Sequence, residues 1–133
     1  MIDPFSRPVF NRARRLCLAL PEASEKTAWG HPTFRIADKT FCAFEMIKGR
    51  PTIAFRLPPE MCEALVSDAR AFATPYGRGS WVSIWVDRAV NWKEMTTLVR
   101  TSYRSVASKR LIGMADRKQE TGDRKQEDRK EIG

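Results

Sequence analysis

Two aromatic corners that contain glycine limit the folds open to this chain more than any other feature: Trp29-Gly30-His31-Pro32-Thr33-Phe34-Arg35 and Thr74-Pro75-Tyr76-Gly77-Arg78-Gly79-Ser80-Trp81. Gly and Pro fix unusual backbone angles, and the aromatic side chains demand packing partners. Each corner is therefore either a joint of the fold or a surface that grips something.

The segments around the corners carry two different periodicities. From Pro8 to Leu20 the apolar positions Val9, Phe10, Ala13, Leu16, Cys17 and Leu20 follow a helical period, with Ser6 as N-cap and Pro21 as the stop. Arg7, Asn11, Arg12, Arg14 and Arg15 fall on the opposite, basic face. Alternating segments follow at Glu25 to Trp29, Thr33 to Ile36, Thr40 to Met46 and Thr52 to Arg56, and these read as strands. The connections between them, Gly30-His31-Pro32, Ala37-Asp38-Lys39 and Lys48-Gly49-Arg50-Pro51, have hairpin length. Pro58-Pro59-Glu60 opens a second helix with Met61, Leu65 and Ala69 as its buried stripe. Phe72 to Thr74 is a short strand, and Trp81 to Val86, apolar on both faces, reads as an interior strand. Asn91 as N-cap, with Glu94 three residues on, starts a final helix. Its stripe is Trp92, Met95, Val99, Ser102, Tyr103 and Val106, and it is expected to run to about Lys109 or beyond. The fold class is α+β: an antiparallel sheet of about five to six strands with an N-terminal helix, a middle helix and a long C-terminal helix packed on it.

A chain of 133 residues, 42% hydrophobic, has room for one core. Residues 1–115 are read as a single domain. Residues 116–133, with the near-repeats Asp116-Arg117-Lys118-Gln119-Glu120 and Asp123-Arg124-Lys125-Gln126-Glu127, are a charged tail expected to be disordered or a frayed helix. That tail holds six basic and six acidic residues, so the whole net charge of +8 belongs to residues 1–115. Such an excess favours polyanionic partners. There is no apolar run of the roughly 18 residues that a membrane span needs, and no signal-peptide pattern, so a cytoplasmic, monomeric protein without membrane attachment is expected. Cys17, Cys42 and Cys62 are too far apart for a metal-ligand pair and read as buried small hydrophobes.

The run Cys17-Leu18-Ala19-Leu20-Pro21-Glu22-Ala23 leading to Lys26, the first corner, Lys39-Thr40-Phe41, Pro75-Tyr76-Gly77, Gly79-Ser80-Trp81-Val82 and Ser102-Tyr103 together resemble the MmcQ/YjbR-like family of small bacterial proteins. The likeness is colinear from Pro8 to Arg110. It implies an α+β fold similar to that of the bacterial frataxin homologue CyaY, and a DNA-binding role with a double-wing arrangement. The Ala37-Asp38-Lys39 turn departs from the glycine-rich turn usual in the family.

Phosphates are met by mobile cations and unpaired bases by flat aromatic faces. Lys26, Arg35, Lys39, Lys48, Arg50, Arg56 and Arg78 form the expected electrostatic footprint, Trp29 and Tyr76 are the stacking candidates, and His31 is a further phosphate donor. The competing reading places Trp29, Trp81, Trp85 and Trp92 in the core and leaves the cations as a solvated face. An enzyme is not expected, because one histidine and three dispersed cysteines offer no nucleophile beside a base. Gly77-Arg78-Gly79 lacks the context of a phosphate-binding loop. No metal or cofactor is expected, since the first helix is arginine-rich where hard cations would need carboxylates. The alternative to DNA is an acidic protein partner or a small ligand.

Overall fold

A computed structural model of the chain describes residues 3–74 and 80–119. A short 3-10 turn, Pro4–Ser6, leads into α1 (Pro8–Leu18), and four strands follow: β1 (Ser24–Ala28), β2 (His31–Ile36), β3 (Lys39–Ile47) and β4 (Arg50–Arg56). Then come α2 (Pro59–Ser67), β5 (Ala71–Ala73), β6 (Trp81–Trp85) and α3 (Trp92–Arg104). A further helix, α4, spans residues 109–119. The six strands form one antiparallel sheet in the order β1-β2-β3-β4-β6-β5, so the expected α+β class is the observed one and β6 is indeed interior.

The helices pack on one face of the sheet. Phe10 of α1 stacks on Phe44 of β3, with ring centroids 4.7 Å apart. Tyr103 of α3 meets Phe41 edge-on at 5.6 Å. Ala71, Val82 and Ile84 are buried where α2 closes over β5 and β6. Phe41 and Phe44 reach the same face despite their odd spacing because β3 bulges. Phe34 pairs with Cys42 but Arg35 pairs with Thr40, so Phe41 is the extra residue. The bulge interrupts the ladder to β4, and Ser102 of α3 repairs it. Its buried hydroxyl donates to the Phe41 carbonyl and accepts the Arg56 N–H at 2.8 Å. The next residue, Tyr103, donates to the Pro21 carbonyl at 2.9 Å.

Several boundaries differ from the sequence reading for local reasons. Ser6 belongs to the 3-10 turn capped by Asp3, so Arg7 is the N-cap of α1 and makes no side-chain cap bond. In α2 the buried residues are Cys62 and Leu65, while Ala69 lies past the helix at φ 60°. Asn91 does cap α3, accepting from Lys93 N and Glu94 N at 3.1 Å, but the Glu94 carboxylate turns to Arg70 at 2.7 Å instead of completing a capping box. Nor does α3 run to Lys109. It stops at Arg104, where the Ser105 hydroxyl bonds back to Ser102 O at 2.6 Å. Ser108 then starts α4 by accepting Leu111 N at 3.3 Å. Residues 116–119 continue that helix, and Asp116 meets Arg104 at 3.0 Å; the rest of the charged tail lies outside the described residues.

Candidate nucleic-acid interface

The first corner is a hairpin turn, but its centre is Trp29-Gly30, not Gly30-His31-Pro32. Ala28 pairs with His31, and Trp29 and Gly30 stand at φ 55° and 82°, the pattern of a two-residue type I′ loop. Lys48 and Gly49 repeat it between Ile47 and Arg50, at φ 53° and 77°. The two turns belong to one repeated stretch, Gly30-His31-Pro32-Thr33 and Gly49-Arg50-Pro51-Thr52. In each, the residue after Gly flanks the loop and exchanges both bonds with its partner, so the following Pro directs its missing donor to the other side. The β2–β3 ladder begins only at Thr33, so Pro32 falls outside it, whereas Pro51 accepts the Val86 N–H at 3.0 Å and has no N–H to return the bond. Both threonines are buried and donate to a carbonyl across the hairpin, Thr33 to Lys26 O at 2.6 Å and Thr52 to Glu45 O at 3.1 Å.

Register then fixes what the other face of the sheet carries. A row of Lys26, Thr33, Ala43, Ala54, Ser83 and Phe72 crosses all six strands. Towards the two hairpin tips it is flanked by His31, Glu45, Thr52 and Trp85. Towards the opposite end it is flanked by Arg35, Arg56 and Trp81. Among the described residues this face presents one carboxylate of its own strands, Glu45, whose Oε1 lies 3.8 Å from His31 Nε2. Arg35 Nε donates to Thr33 Oγ1 at 3.0 Å.

Of the expected footprint, the fold thus brings Lys26, His31, Arg35, Arg50 and Arg56 onto one face. Lys48 and Trp29 occupy adjacent hairpin tips at one end, two strand spacings or about 10 Å apart. Lys39 stands at the other end, beside the Ala37-Asp38 turn. Lys26, Lys39, Lys48 and Arg56 enter no ion pair among the described residues. Tyr76 and Arg78 lie outside the described residues. Trp29 is not core: it is 98% exposed. Trp81, Trp85 and Trp92 are half-buried. His31 sits in β2 instead of in a corner.

Arg50 is held differently from the other cations. It forks onto Asp87, Nε to Oδ2 at 2.6 Å and Nη2 to Oδ1 at 3.2 Å, and its guanidinium carbon lies 3.8 Å over the Trp85 ring. Phe72 packs on Trp85 with centroids 4.7 Å apart. The hydrogen bonds hold the Asp87 carboxyl below its ordinary value and raise the arginine's. Sequence reasoning missed Trp85, Phe72 and Asp87 as parts of this surface. The alternation Trp81-Val82-Ser83-Ile84-Trp85 carried the signal, since Val82 and Ile84 are the pair that fits a core and Ser83 the residue that does not.

Elsewhere, a cleft of about 540 Å³ opens between α2 and β6, lined by Pro59, Cys62, Glu63, Val66, Ser80 and Trp81 among others. Burial pushes the Cys62 thiol above its ordinary 9.0. Cys17 is raised well above that value by burial and by the neighbouring Cys42 thiol. Burial thus favours the neutral thiol at both. Among the described residues no three His, Cys, Asp or Glu side chains are grouped to hold a metal ion, and no helix is long and apolar enough to cross a membrane.

Comparison with known proteins gives a family match and a fold match. The family model described as YjbR matches residues 18–105. Among solved structures, a Deinococcus radiodurans protein with domain DUF419 is similar at a TM-score of 0.63 and 17% identity, over 81% of this chain and 85% of that one. A Pseudomonas syringae protein is similar at 0.56 and 15%, over 65% of this chain and 89% of that one. At these identities the likeness is one of fold. No curated protein matches the sequence.

Proposed function

The chain belongs to the YjbR family, and from that premise we propose that it binds DNA weakly, mainly along the phosphate backbone, through the long side chains on the sheet face opposite the helices. The observation that carries the reading is the register: Lys26, Arg35 and Arg56 share that face, and Lys26 and Arg56 have no carboxylate partner among the described residues. Unpaired cations on one surface, in a body that holds the whole charge excess, attract a polyanion and release its counterions. The same reading makes the protein a cytoplasmic, monomeric binding module without catalytic activity.

The test is an anisotropy titration of the full chain on labelled DNA across a salt series. Engagement of four to six cations gives a log–log salt slope of roughly −3.5 to −5.5 on duplex. Replacing Lys26 and Arg56 together by Gln makes the slope shallower by about 0.9 for each phosphate no longer neutralised and leaves the melting temperature unchanged. An unaltered slope in that variant removes this face from the site. A second reading, a small apolar ligand in the α2–β6 cleft, rests on a volume of about 540 Å³, within the usual range for ligand pockets. A ligand that raises the melting temperature of the parent chain but not of a Val66→Glu variant would support it.

A further inference from the structure

Arg50 is already neutralised within the fold. Both Asp87 oxygens accept from its Nε and Nη2, with Arg88 Nε a further 3.9 Å from Oδ1, so that edge of the Arg50 guanidinium is occupied and its own charge is paired. What remains available is a flat side: the guanidinium rests on Trp85 at 3.8 Å, Trp85 is backed by Phe72, and 41% of the Arg50 side chain is exposed. A carboxylate fork that fixes an arginine against a ring is poor at gathering phosphates and well suited to offering a plane.

Resting on the nucleic-acid reading above, we infer that Arg50, clamped between Asp87 and Trp85, is a stacking platform for an unpaired base, and that the nucleic acid this chain takes is single-stranded. In a duplex each base covers its neighbours' faces, so only a base out of the stack can lie on an arginine plane or an aromatic ring. A second flat surface stands at the same end of the sheet. Trp29 is 98% exposed, makes no ring contact or hydrogen bond among the described residues, and is held in the left-handed region that a tryptophan adopts only at a cost. Two to three strand spacings, about 12 Å, separate the β1–β2 tip from β4. That exceeds the roughly 3.4 Å rise of stacked bases, so the two surfaces suit non-adjacent bases of an extended strand. Lys48 lies two residues from Arg50 on the intervening hairpin tip, without a carboxylate partner among the described residues, and is left for the phosphate between them.

The test titrates the full chain, at one salt concentration, against three labelled probes of equal length: a single-stranded DNA, the same strand annealed to its complement, and an abasic phosphodeoxyribose strand. The single strand should bind about tenfold more tightly than either of the others and quench tryptophan fluorescence. Arg50→Lys keeps the charge and loses the plane, and Trp29→Ala removes an exposed ring that the fold does not use. Each should weaken single-strand binding by about tenfold and leave duplex and abasic binding within about twofold. If Arg50→Lys disturbs the Asp87 end of the sheet, Trp29→Ala still decides. Equal affinity for the abasic and base-bearing strands, or a duplex bound at least as tightly, overturns the platform while leaving backbone binding in place. Saturable binding to none of the three overturns both and moves the exposed Trp29 to a protein partner.

Discussion

Single residues held in the left-handed region mark where this chain's local conformation departs from the easiest one. Trp29, Ala37 and Lys48 each begin a hairpin turn at positive φ, a position where Asn, Asp or Gly is the usual occupant. At Ala37 the methyl group is exposed and the backbone stands at φ 51°. Ala37→Gly should therefore raise the unfolding free energy by about 1 kcal/mol in urea, less the entropy a glycine adds to the unfolded chain. Asp87 supplies a pH handle. Its carboxyl titrates lower in the fold than in the unfolded chain because Arg50 bonds it, so the contribution is present above the ordinary 3.8 and lost as pH falls below it. The near-UV circular dichroism of Trp85 should change in that window, and the change should be absent in Asp87→Asn. Gly30 and Gly49 made both turns legible in the sequence. The partner residue of each turn is less so, because Pro32 and Pro51 look like parts of the corner and are in fact strand residues, Pro51 accepting the Val86 N–H at 3.0 Å.

Elements follow the sequence periodicity where period and cap agree. α3 has both, in Asn91 and in its buried stripe of Met95, Val99, Ser102 and Tyr103, and it begins where expected. Its end was illegible because Ser105 and Ser108 act through hydroxyl bonds that composition does not reveal. The β3 bulge was equally hidden. Phe41, Cys42 and Phe44 all join the helix-side core, which strict alternation forbids, and the pairing of Phe34 with Cys42 beside Arg35 with Thr40 explains it. Ser102 looked like one more position on a stripe, yet it carries the bond that joins α3 to β3 and β4. Ser102→Ala strands the Arg56 N–H and the Phe41 carbonyl. It should cost about 2–3 kcal/mol in denaturant unfolding, against about 0.5 kcal/mol or less for Ser24→Ala on the exposed edge strand.

For the molecule as a whole, the sequence showed how much charge there is but not where it points. Arg14, Arg70, Arg104 and Arg110 pair with carboxylates of other elements, and Arg12 lies over Trp92 at 4.4 Å. Lys26, Arg35 and Arg56 are among the cations left over, and only the strand register could reveal that they share a face. The connections across the molecule also set its kinetics. β1 to β4 form a meander of local hairpins, whereas Ser102 reaches Phe41 and Arg56 across 61 and 46 residues of chain, and Tyr103 reaches Pro21 across 82. Loop-closure entropy favours the hairpins first and the docking of α3 last. A bond made after the rate-limiting step leaves the folding rate alone, so in stopped-flow chevrons Ser102→Ala should speed escape from the native state by nearly its full free-energy cost while refolding stays at parental speed. A refolding rate that fell by the same factor would put the serine in the nucleus. Otherwise the half-life of the folded protein, not the time it takes to fold, is governed by one hydroxyl lodged in a strand defect.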